Sequence, residues 1–121
     1  MHVDHISAGS SPTVIFAEPG LVTEYRPGTY VFGDRQQVGL GAIGAERVAL
    51  TVTSTVIARS NDRIVLDVGG KGLGRDLLPW LTGHGSVLAP DGVSISRLYD
   101  HHAIIESWDG TNLQPGERLA V

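Results

Sequence analysis

Short apolar runs punctuated by Gly and Pro dominate the chain, and no stretch holds a 3.6-residue period over several turns. The clearest pattern is Arg47 to Arg59. Val48, Leu50, Val52, Ser54, Val56 and Ala58 line one face, and Ala49, Thr51, Thr53, Thr55 and Ile57 line the other. This alternation predicts a long, bent strand. Asn61-Asp62 turns the chain and Arg63 to Asp67 runs back, so 47–67 reads as a β-hairpin. Val93 to Leu98 alternates cleanly. His102 to Trp108 follows across Asp100-His101, with a turn at Asp109-Gly110. Thr13 to Ala17 and Thr29 to Phe32 are short β-branched and aromatic runs, read as strands. Leu21 to Arg26 alternates loosely, and Leu119 to Val121 opens a further strand after the Pro115-Gly116 turn.

Helical signals are few. Asp34 to Gln37 is able to open a short helix that Gly39, Gly41 and Gly44 keep from growing. Asp76 to Leu81 is compatible with one turn, limited by Pro79. The expected fold is mostly β, an antiparallel barrel or sandwich with short helical turns.

At 121 residues, one domain is the natural count. Nine Lys plus Arg stand against thirteen Asp plus Glu, dispersed without runs. That excludes the clustered positive charge of a nucleic-acid footprint and of a polybasic membrane anchor. No apolar run is long enough to cross a bilayer, and Met1 to His5 lacks the regions of a signal peptide. The chain has no cysteine, hence neither a disulfide framework nor a thiolate nucleophile. A cytoplasmic location is expected.

Several residue groups invite a chemical reading. Gly9, Ser10 and Ser11 precede Pro12 in a Gly/Ser loop of the kind that cradles an anion, since small residues let backbone N–H groups approach. The plainer reading is an ordinary loop. The run Gly69-Gly-Lys-Gly-Leu-Gly74 fails as a nucleotide loop, because no Ser or Thr follows the lysine; it reads as a structural bend. His2, His5, His84, His101 and His102 are residues that metal sites use, but adjacent His on a strand face opposite ways, so at most one of His101 and His102 would serve a site, and turn, solvent or core histidines are the plainer reading. Asp67, at a strand end, reads first as a turn cap. Tyr25, Tyr30, Trp80, Tyr99 and Trp108 read first as core or interface aromatics. Only six residues precede the Gly/Ser loop and the chain closes on a strand opening, so a piece of a larger protein is expected.

Taken in order, Ser7 to Thr13, Thr23 to Asp34, Ala49 to Arg59, Arg63 to Leu73, Gly83-His-Gly85, Ser96 to His102 and Pro115 to Arg118 resemble the C-terminal part of the D-serine dehydratase-like and D-threonine aldolase-like enzymes. These are pyridoxal-phosphate enzymes of the alanine-racemase fold type. The Ser-Pro-Thr loop and the His-His pair lean toward the dehydratase branch. The resemblance implies a two-domain parent, an α/β barrel followed by a β domain. Residues 1–34 would be the end of the barrel leading into the β domain, and 35–121 the β domain. The loop at Gly9, Ser10 and Ser11 would meet the phosphate of the cofactor, with Tyr30 a further candidate.

The lysine that binds the cofactor covalently in such enzymes has no counterpart here. Lys71, the one lysine of the chain, matches a β-domain loop. The family's metal pair falls just beyond the strand begun at Leu119. The resemblance therefore implies a β-domain fragment, inactive alone, with no covalently bound pyridoxal phosphate and without the divalent metal site. A homodimer and the missing barrel domain are the expected partners. The alternative is a self-standing β-barrel binding or interaction module without catalysis.

Overall fold

The computed structural model describes residues 3–89, 92–106 and 112–121. His2, Trp108 and the turn expected at Asp109-Gly110 lie outside them. The chain divides into two units, Met1–Leu50 and Thr51–Val121.

In the second unit, five strands form one antiparallel sheet in the order β5-β6-β4-β3-β7. They are β3 (Thr53–Arg59), β4 (Arg63–Leu66), β5 (Arg97–Leu98), β6 (Ala103–Glu106) and β7 (Arg118–Ala120). The β3–β4 hairpin is the one expected from the alternation, although β3 starts at Thr53 and not near Arg47. Its register slips by one residue between Val56 and Ala58, a β-bulge that leaves Ile57 without an opposite number. The pleat sends Ser54, Val56, Ile64, Leu66, Ala103, Ile105 and Leu119 to one buried face. Cross-strand pairing lines them up: Val56 faces Leu66, Leu66 faces Ala103, Ile64 faces Ile105 and Ser54 faces Leu119. Val68, Val87, Val93 and Ile95 complete this core from outside the named strands. Each fully buried Val, Leu or Ile contributes about 1.5–3 kcal/mol, so this face is the main source of the sheet's stability, with Ile104 buried on the other.

Both sheet edges meet irregular chain. Ser96 N–H donates to Ile104 O (2.8 Å) beside β5, and Leu88 N–H donates to Ala120 O (3.0 Å) on β7. Ser86 and Ser94 form an isolated antiparallel bridge between these segments. Among the described residues the named strands form an open sheet and not a closed barrel. The expected strand over 93–98 is reduced to the two residues of β5, while its inward positions Val93 and Ile95 remain buried. Residues 76–81 form no helix; a single helical turn, α2 (Gly70–Leu73), lies in the Gly-rich run instead.

The first unit pairs β1 (Ser7–Ala8) with β2 (Glu24–Tyr25) in parallel. The helix α1 (Arg35–Gly39) starts where the sequence predicts it, because the Asp34 carboxylate accepts from Gln37 N–H at 2.8 Å as an N-cap. The two strands expected at Thr13 to Ala17 and Thr29 to Phe32 are 3-10 helices, Ser11–Phe16 and Thr29–Val31. In the first, Pro12 suits an opening turn, and Thr13 and Val14 N–H both donate to Ser10 O at 3.1 Å. Gln37 is the one buried residue among the described residues of this unit. No helix among the described residues is long and apolar enough to cross a membrane.

Candidate functional site

The Gly/Ser loop leaves β1 and enters the first 3-10 helix. Gly9 has no room for a side chain: an added Cβ would meet the Arg26 carbonyl and lie 2.6 Å from its carbon and 2.9 Å from its Cα. The loop backbone therefore lies directly on the backbone after β2, where Arg26 N–H donates to Ala8 O at 2.9 Å. Ser10 is the N-cap residue with extended backbone (φ −159°), yet its hydroxyl makes no capping bond. Its carbonyl instead takes the first two turn bonds and a weak one from the Thr13 hydroxyl (3.3 Å). Among the described residues, the N–H groups of Ser10 and Ser11 have no partner. Three polar hydrogens, the two N–H groups and the Ser10 O–H, are thus available at one short turn.

Ser11 does a second job. Its Oγ accepts from Thr29 N–H at 2.9 Å, which fastens the second 3-10 helix to the loop. Tyr30 follows directly and is 66% exposed. The structure thus brings Gly9, Ser10, Ser11 and the Tyr30 segment together, although eighteen positions separate Ser11 from Thr29. Arg26 is the group that sequence reasoning missed. Its Nε donates to Ser7 Oγ at 2.7 Å and lies 3.9 Å from the Glu24 carboxylate, which places a mostly exposed, partly compensated guanidinium beside the loop. The signal was present in the stretch Tyr25-Arg-Pro-Gly28, but nothing in the spacing ties it to residue 7. This donor set suits a phosphate: close-approach glycine, paired N–H groups, hydroxyls and one cation.

The other sequence candidates lie in the second unit and do different work. Asp67 Oδ1 accepts from Thr55 N–H (2.7 Å) and Ser54 Oγ (2.9 Å). The Thr55 N–H first, then the Ser54 hydroxyl, hold its carboxyl below the usual carboxylate range. It caps no turn: it ties the end of β4 to the start of β3 at the open end of the hairpin. His101 and His102 stand in the β5–β6 turn and not on a strand; Tyr99 N–H donates to His102 O at 2.9 Å across it. The His102 ring stacks on Tyr99 with centroids 4.5 Å apart. The Gly-rich run, expected as a bend, packs against this turn as the helical turn α2. Gly70 N–H donates to Tyr99 O (2.7 Å) and Lys71 N–H to Asp100 O (3.2 Å), and Arg75 pairs with Asp100. A Cβ on Gly69 would lie 2.5 Å from Asp100 O and His101 N. His84 sits between two glycines with its Nδ1 buried and unpartnered. Among the described residues no group of three or more His, Cys, Asp or Glu is placed to hold a metal.

The model of the putative serine dehydratase domain matches residues 49–121. An uncharacterised protein of Mycobacterium tuberculosis is 40% identical over 97 residues, 75% of this chain and 73% of that protein. The solved D-threo-3-hydroxyaspartate dehydratase of Delftia sp. superposes with a TM-score of 0.83 at 30% identity, over 96% of this chain and 36% of that one. An alanine racemase-like protein of Idiomarina loihiensis gives a TM-score of 0.86 at 25% identity, over 99% of this chain and 36% of that one. The chain thus spans about a third of the length of these solved structures. With the domain model covering more than half of it, the chain belongs to the putative serine dehydratase domain family.

Proposed function

We propose that this chain supplies the cofactor-phosphate edge and the β domain of a pyridoxal-phosphate-dependent enzyme acting on D-amino acids by dehydration, aldol cleavage or racemisation. The observation that carries the reading is the 9–11 turn, with Gly9 pressed on Arg26 and the Ser10 and Ser11 donors unspent. When bound, the cofactor supplies an electron sink for carbanion chemistry. This chain's residues have simpler tasks. Ser10 and Ser11 N–H groups and the Ser10 hydroxyl donate to phosphate oxygens. The Ser11 hydroxyl accepts from Thr29 and still has its own proton to give. Arg26 offsets the anionic charge, and Tyr30 closes the rim. The dehydratase named among the solved relatives supports a hydroxy amino acid as substrate class.

Catalysis in this reading needs a lysine carried by the rest of the enzyme. Lys71 sits on α2 with its backbone N–H engaged by the β5–β6 turn, a structural position. The β domain would be the open sheet curled further through the 84–88 and 93–96 segments toward a barrel, and the working form a two-fold dimer. Isothermal titration tests the site. Pyridoxal phosphate should bind more tightly than pyridoxal, and Ser10→Ala should narrow that gap; equal binding of the two ligands would remove the phosphate reading. A second reading, a self-standing β module without catalysis, is favoured by one observation: Thr51–Val121 encloses its own hydrophobic core.

A further inference from the structure

The parallel pairing of β1 with β2 sets Ser7 opposite Glu24 and Ala8 opposite Tyr25. Side chains alternate along a strand, so Arg26 follows Glu24 on the face that Ser7 shares. The main chain of Arg26 is fixed at three points. Its N–H donates to Ala8 O at 2.9 Å. Gly9 packs so closely on its Cα and carbonyl that no Cβ fits between them. Pro27 follows and restricts it to extended backbone. The freedom left to this residue lies in its long side chain, and Ser7 takes that up. Arg26 Nε donates to Ser7 Oγ at 2.7 Å, and the Glu24 carboxylate stands 3.9 Å from the same nitrogen. Both neighbours are thus at the Nε edge of the guanidinium. Its two terminal Nη groups carry no hydrogen bond among the described residues.

From this geometry we infer that Ser7 is a positioning residue for the phosphate contact: it holds Arg26 by the Nε edge so that both Nη groups present an end-on fork to a phosphate at the 9–11 turn. This role rests on the proposed phosphate ligand and adds a residue that never touches it. A planar guanidinium grips a phosphate through two parallel N–H bonds, which demands a fixed direction. An arginine free in water has to be ordered when the ligand arrives. One that is ordered beforehand does not, a saving worth about threefold to tenfold in affinity for one such side chain. The Ser7 hydroxyl provides this order without cancelling the charge that the phosphate needs. Glu24, at 3.9 Å, is beyond hydrogen-bond distance and cannot replace it.

Isothermal titration with pyridoxal phosphate and with pyridoxal, on the full chain and on Ser7→Ala, Arg26→Ala and the double variant, tests the role. Ser7→Ala should weaken pyridoxal phosphate about threefold to tenfold and leave pyridoxal unchanged. In the Arg26→Ala background the same substitution should have no further effect, the coupling expected of a residue that acts through another. Ser7→Thr keeps the hydroxyl on a side chain that suits a strand and should restore binding. Without any ligand, the Arg26 Nε–H signal in NMR should exchange more slowly with solvent in the parent and in Ser7→Thr than in Ser7→Ala. An undiminished preference for pyridoxal phosphate in Ser7→Ala overturns the positioning role and leaves the phosphate site standing. So does an equal loss in the Arg26→Ala background, or an Arg26 Nε–H signal indifferent to residue 7. If the parent chain binds the two ligands alike, the phosphate site itself falls and the role of Ser7 with it.

Discussion

Replacing Asp67 with Ala removes the acceptor that ties the end of β4 to the start of β3. Two donors lose their partner: Thr55 N–H, on partly open backbone, and the hydroxyl of Ser54, which is only 1% exposed. Hydrogen bonds to a charged acceptor are worth about 1.5–3 kcal/mol each, and a buried donor left unpaired costs about 1–3 kcal/mol. Asp67 itself is exposed, so solvent screening discounts the sum to about 2 kcal/mol. In a unit of this size each kcal/mol moves the melting midpoint by roughly 4–8 °C, so the loss should be roughly 8–16 °C. Asp67→Asn keeps an oxygen acceptor and should cost about 1 kcal/mol. The carboxyl is held below its usual range in the fold. Its contribution is therefore fully present above the unfolded value of about 3.9 and fades as pH falls through the lower folded value. Thermal and urea unfolding followed by circular dichroism, at neutral pH and in acid, read all of this. An Asp67→Ala change within about 0.5 kcal/mol of the parent, the ordinary scatter of surface substitutions, would rule out a stabilising tie at this carboxylate. A gap between Asp67→Asn and the parent that persists undiminished into strong acid would do so too.

Gly69→Ala should destabilise the second unit by about 1–3 kcal/mol, because the added methyl meets the Asp100–His101 backbone at 2.5 Å; denaturant unfolding checks it. Leu119 is 7% exposed and part of the core, so Leu119→Lys should unfold the sheet and not merely weaken an assembly at β7, a distinction that circular dichroism makes at once. The chain should self-associate as a two-fold dimer through its exposed apolar residues, and a strict monomer by light scattering at high concentration would count against that. Pyridoxal phosphate followed by borohydride should leave Lys71 labelled far below one equivalent, and stoichiometric labelling read by mass spectrometry would overturn its structural assignment.

The sequence made the centre of the fold legible and hid its margins, for identifiable reasons. Thr53 to Val56 and Arg63 to Leu66 alternate in burial with one face inward, so the hairpin followed from period two, whereas the bulge at Ile57 left no mark in the pattern. Val14 to Phe16 and Tyr30 to Val31 carry strand-like residue types over too few positions for a period to discriminate, and Pro12 and the bond from Thr29 to Ser11 decided for 3-10 turns. Residues 47–52 continue the alternation, but β7 is short, and only Val52 joins its continuation through Val121 (2.9 Å). At the candidate site, Gly9, Ser10 and Ser11 were readable as a loop chemistry. The approach of Arg26 and Thr29 was not, since it depends on a parallel pairing seventeen residues apart that leaves no local pattern.

The proposed function stands or falls on whether the 9–11 turn binds a phosphate group. An amide-correlation NMR titration of the chain with pyridoxal phosphate, run beside one with pyridoxal, tests it most directly. Saturable shifts are expected at Gly9, Ser10, Ser11 and Thr29 with the phosphorylated ligand, greatly reduced with pyridoxal and in Ser10→Ala. Shifts that fall elsewhere, or that match for the two ligands, would contradict it.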